Sequence, residues 1–207
     1  MSKMRKSTII TILLLFLCNC SLSKQPETFT MHNGEIKVIV LEETKMQKYK
    51  TSIKKANSIL RSYLKNDYIE GSITPVSIIT SDKLADLEYY GVTFHGKIYI
   101  NLNCYPNNSR ELVRTIVHEQ LHYQNTKGLN LKTIEKKDNT RLSEYIVYYL
   151  TEKLCKEYDK SEYGDMYYGE APIIPELDKF RDELSDVYLG KKELSDELER
   201  KIVDAFN

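Results

Sequence analysis

The chain opens its folded part with short apolar runs and closes it with long helical periodicities. Glu35 to Leu41 is rich in Ile and Val and predicts a strand. From Thr44 to Leu64, apolar residues recur at Met46, Tyr49, Ile53, Ala56, Leu60 and Tyr63, gaps of three and four that predict an amphipathic helix. Ile73 to Thr80 reads as a strand, and Asp82 to Tyr90 as a short helix capped by Ser81. Gly91 to Asn103 reads as a hairpin; its return strand, Lys97 to Leu102, alternates apolar and polar residues and so predicts one buried face. Pro106-Asn107-Asn108 breaks the chain, and Ser109 is a good N-cap for a helix over Arg110 to Gln124. Its apolar face is Leu112 or Val113, Ile116, Val117 and Leu121.

A polar loop from Thr126 to Asp138 contains Gly128, and a second helix follows over Arg141 to Tyr158 with Leu142, Ile146, Leu150 and Leu154 on one side. Asp159 to Pro175 is dense in Tyr and Gly and reads as irregular. Two amphipathic helices close the chain, one over Leu177 to Leu189 ended by Gly190, the other over Leu194 to Phe206. Strands with one helix, then mostly helices, is an α+β order: a small mixed sheet followed by helices.

The first 20 residues are of another kind. Lys3, Arg5 and Lys6 precede a short apolar run, Ile9 to Leu17, the pattern of a signal peptide rather than a bilayer span. Leu17-Cys18-Asn19-Cys20 resembles a relaxed bacterial lipobox, with Asn in place of the usual small residue before the Cys. The expectation is an exported cell-envelope lipoprotein held to the membrane by lipid on Cys20, with plain secretion as the alternative. Residues 21–34 would then be a tether and 35–207 a single domain. Lys+Arg and Asp+Glu both number 30, so no basic excess points to nucleic acid. Cys104 and Cys155 remain after export; a disulfide and two free thiols are both open.

The chemistry concentrates in His118-Glu119-Gln120-Leu121-His122. On a helix, residues four apart share a face, so both imidazoles can reach one ion at roughly 2.0–2.1 Å. Glu119 lies on the flank of that face, placed to act as general base on a zinc-bound water. Of the four His in the chain, His32 and His95 stand alone in loop-like settings and read as surface or locally bonded residues.

A catalytic zinc site needs a third protein ligand and an open position. Glu144, 22 residues after His122 near the start of the second helix, is the candidate if that helix folds back beside the first. With Glu144, Val147 and Tyr149 on the Glu, Ala and Tyr places of a Glu-Gly-x-Ala-x-Tyr setting, residues 92–155 resemble a small gluzincin of the peptidase MA-like group. Tyr145 replaces the usual Gly, and Tyr148 stands where a thermolysin-type Asp would be. Asn125 and Gly128 stand where the metzincins need Gly and then His or Asp.

The resemblance implies a zincin-like fold, one Zn2+ per chain on His118, His122 and Glu144, and a protein or peptide substrate. It also implies an active-site strand whose edge binds extended peptide, a place taken by Lys97 to Asn103. Asp165-Met166-Tyr167-Tyr168-Gly169 resembles part of the aspzincin motif and offers Asp165 as a rival ligand, with Tyr168 as oxyanion donor. The function expected is a zinc-dependent endopeptidase working outside the cytoplasm. Its alternatives are a non-catalytic zinc-binding or scaffold lipoprotein, and a structural lipoprotein with a chance motif.

Overall fold

The computed structural model describes residues 27–31, 34–65, 76–87, 90–94, 97–104, 109–127, 140–163 and 177–206. The expectations for the signal peptide, Cys20, His32, His95, Asp165 and Tyr168 lie outside the described residues. Among the described residues, no helix is long and apolar enough to cross a membrane.

The architecture is α+β. The strands are β1 (Glu27–Met31), β2 (Gly34–Val40), β3 (Val76–Thr80), β4 (Gly91–Phe94) and β5 (Lys97–Asn101). They form one sheet in the order β1-β2-β3-β5-β4. β3 and β5 run parallel; the other pairs are antiparallel. β1 falls inside the segment expected to be a tether. Its Thr-Phe-Thr centre suits a strand, but five residues are too few for an alternation to stand out.

Helices α1 (Glu43–Met46) and α2 (Lys50–Leu64) flank a 3-10 turn, Gln47–Tyr49, where one continuous helix was expected. The expected helix after Ser81 is short, α3 (Asp82–Asp86). The two long helices are α4 (Ser109–Lys127) and α5 (Thr140–Tyr158), each within a few residues of its expected bounds. The stretch expected to be irregular begins with a helical turn, α6 (Lys160–Tyr163). A 3-10 turn, Asp178–Phe180, leads into α7 (Arg181–Tyr188), and α8 (Asp196–Phe206) ends the described chain. Gly190 follows α7 with φ 68°, the left-handed conformation that lets the chain leave a helix.

One large apolar cluster joins α2, α4, α5, α7 and α8 to one face of the sheet. Ile116, Val117 and Leu121 of α4 are fully buried in it. Each contributes about 1.5–3 kcal/mol to holding α4 in place. The Tyr188 hydroxyl of α7 donates to the Leu121 carbonyl at 2.8 Å, one residue before His122.

β5 departs from expectation in two ways. Both its faces are buried: Ile98 and Ile100 join the large cluster, while Tyr99 packs with Ile36, Val38, Ile79 and Leu84 on the other side. It also lies inside the sheet, between β3 and β4, so Lys97–Asn101 has no free edge for a peptide; among the described residues β4 is the terminal strand. The buried Asn101 amide explains why a polar residue tolerates this place. Its Nδ2 donates to the Ser81 carbonyl at 2.8 Å and its Oδ1 accepts from the Ser81 amide at 3.0 Å. Ser81 in turn caps α3 as expected, its Oγ accepting from the Leu84 amide at 3.3 Å.

Candidate metal centre

α4 and α5 pack side by side, and their facing residues meet in rungs one helical turn apart. His122 faces Glu144, His118 faces Tyr148 and Arg114 faces Glu152. Such rungs need side chains four residues apart on both helices, the spacing that puts them on one face.

At the first rungs three ligand atoms converge. The Nε2 atoms of His118 and His122 are 3.0 Å apart. Glu144 Oε2 lies 3.3 Å from the His122 nitrogen and 3.4 Å from that of His118. A tetrahedral ion with bonds of roughly 2.0–2.1 Å keeps its ligand atoms about 3.3–3.4 Å from one another. The three atoms therefore stand near the spacing of three corners around one small divalent ion. Hydrogen bonding alone fits them poorly. An Nε2–H aimed at one neighbour is not aimed at the other, whereas a single cation between them meets all three lone pairs. Among the described residues this is the His/Cys/Asp/Glu group compact enough to hold a metal.

The electrostatics of the metal-free site follow from the same contacts. Burial opposes a charge on His122, but its hydrogen bond to Glu144, with the charges of Glu144 and Glu119, outweighs that and raises its pKa. For Glu144, burial pushes upward, yet the bonds and charges of His118 and His122 prevail and hold the carboxyl well below its ordinary range. The imidazoles are mostly covered, with side chains 19% exposed, while Glu144 is 57% exposed. The opening to solvent is thus on the Glu144 side.

Glu119 is buried, 7% exposed, and stands apart from the three-atom cluster. It turns to the edge strand: Thr93 Oγ1 donates to its Oε2 at 2.8 Å. Two residues earlier on the same face of β4 is Gly91. A Cβ there would lie 2.7 Å from Glu119 Cγ and 2.9 Å from Thr115 Cγ2, so only glycine lets the strand come this close. Neither Gly91 nor Thr93 is marked by any motif. The buried partners Arg114 and Glu152 also escape sequence reading, because charged residues on a helix are ordinarily solvated. Cys104 and Cys155 are both free thiols, and burial pushes the Cys155 thiol up to about 12.

The two helices thus bring His118, His122 and Glu144 together, while Asp165 lies outside the described residues. Comparisons with family models, with curated proteins and with solved structures give no match to this chain.

Proposed function

We propose that the protein is a zinc-dependent endopeptidase with a zincin-like fold, acting outside the cytoplasm as a lipoprotein anchored through Cys20. The observation that carries this reading is the convergence of His118 Nε2, His122 Nε2 and a Glu144 oxygen within 3.4 Å of one another, with Glu119 on the adjoining flank of α4. Three protein ligands leave one position of a tetrahedral ion open, the arrangement of catalytic rather than structural zinc. Zinc bound there would act as a Lewis acid on water and on the peptide carbonyl.

The chain's own groups do the rest. Glu119 accepts the proton of the attacking water and returns it to the departing amine. Its burial and its bond from Thr93 fix the carboxylate in one orientation, which favours proton transfer along a single path. The outer edge of β4 is the place for an extended substrate, because β4 ends the sheet and lies against Glu119.

The test has two arms on the full chain. Purified protein should contain about one zinc per chain, and His118→Ala should lose it. Glu119→Gln should keep the zinc and lose cleavage of an unfolded protein substrate. Activity intact in zinc-loaded Glu119→Gln would reject Glu119 as the base, whereas zinc bound by a parent protein that cleaves nothing would favour the non-catalytic metal-binding alternative.

A further inference from the structure

We infer that Arg114 and Glu152 are positioning residues that set the register of the two ligand-bearing helices and thereby assemble the metal centre. The inference rests on the metal-centre reading above. It starts from a weakness in the packing of α4 on α5. The buried residues of α5 include Leu142, Ile146, Leu150 and Leu154, and those of α4 include Val113, Val117 and Leu121. Both stripes repeat every four residues. A slide of one turn, about 6 Å at 1.5 Å per residue, sets apolar side chains against apolar side chains again. Hydrophobic burial is non-directional and scales with area, so it discriminates poorly between these registers.

The Arg114–Glu152 rung does discriminate. Both side chains are essentially without solvent contact, and one guanidinium nitrogen of Arg114 bonds both carboxylate oxygens of Glu152. Sliding α5 one turn one way sets Lys156 against Arg114, two cations in a dry place. Sliding it the other way sets Tyr148 there and parts Glu152 from the Arg114 guanidinium. Glu111 lies 3.3 Å from Arg114 on the same helix, and Lys156 lies 3.8 Å from Glu152 on its own, so both travel with their helices and report nothing of the register. Parting two buried charges from their direct hydrogen bonds is costly even where each keeps a more distant neighbour on its own helix, so one register prevails. In that register Glu144 meets both imidazoles; one turn away it misses His122.

The experiment separates register from stability. Replacing both members of a buried ion pair by apolar residues is often neutral or stabilising. The full-length Arg114→Met/Glu152→Leu variant is therefore expected to fold with metal-free urea stability at or above that of the parent. Its zinc affinity, measured by chelator competition, should fall about tenfold or more, the scale seen when a group that orients ligands is lost. The visible spectrum of its cobalt-substituted form should change as well. Zinc affinity and cobalt spectrum both equal to the parent's, in a folded variant, overturn the inference. Should the double variant not fold, Glu152→Gln, which keeps the side-chain shape, is read in its place by the same criteria. His118→Ala is run alongside: parental zinc binding there overturns the metal-centre reading itself, and the inference with it.

Discussion

A single methyl group at Gly91 measures how firmly the edge strand is pressed on α4. The added carbon of Gly91→Ala would sit 2.7 Å from Glu119 Cγ, 2.9 Å from Thr115 Cγ2 and 3.0 Å from Glu119 Oε1. Carbon atoms pack comfortably at about 3.5–4.0 Å, so about 1 Å of room must be found. Thr115 is buried and cannot yield. Either β4 moves outward or the Glu119 side chain rotates away. Gly91 is not among the positive-φ residues, so the cost is steric and not conformational.

Forcing a methyl into a packed place costs about 1–3 kcal/mol. For a chain of this size, 2 kcal/mol lowers Tm by about 4–8 °C. An outward shift of about 1 Å would also stretch the Thr93–Glu119 bond past hydrogen-bonding reach, and a misplacement of that size is able to cost about 100-fold in turnover. Zinc content is expected to equal the parent's, since the proposed ligands lie on α4 and α5 and not on β4. Denaturation by urea, metal analysis and cleavage of a fluorescent protein substrate read the three effects. Unchanged stability together with unchanged turnover would refute the close contact of β4 with Glu119.

Two further outcomes follow from the same contacts. In the metal-free protein, the raised His122 pKa contributes stability that is full below its ordinary 6.5 and is lost as pH rises through the folded value; the lowered Glu144 pKa contributes stability present above its ordinary 4.5 and lost as pH falls through the folded value. Metal-free thermal stability should therefore be favoured between those two values, and zinc affinity should fall as pH drops and protons take His122; a zinc affinity indifferent to pH from 7 down to about 5 would contradict this. Tyr188→Phe removes the hydroxyl that serves the Leu121 carbonyl and should cost about 0.5–1.5 kcal/mol in urea denaturation while leaving zinc stoichiometry at one; no loss of stability would show the bond to be idle.

What the amino-acid order reveals here depends on how local the cause is. His118 and His122 are legible because one helical turn alone decides that they share a face. Glu144 was reached through a resemblance and the reversal implied by a polar loop, and its place opposite His122 follows from helix pairing. β5 was misjudged because Tyr99 and Asn101 read as polar, while in the sheet Tyr99 closes a second small core and Asn101 bonds Ser81. Its interior position comes from parallel pairing with β3, a long-range event that no alternation encodes. Gly91 and Thr93 are two residues apart on a four-residue strand, and only the approach of α4 gives them a task. Arg114 and Glu152 look like ordinary charged surface positions until two helices bury them against each other.

Among the described residues β4 ends the sheet, and the border of a terminal strand accepts any extended backbone, the proposed substrate or a neighbouring copy of the same chain alike. In this protein that border, Gly91–Phe94, is only four residues long, so a stray strand finds few bonds to make. The brevity that keeps β4 from recruiting its own kind also caps the backbone grip on a visitor. Selectivity among visitors would then fall to side-chain fit beside the strand.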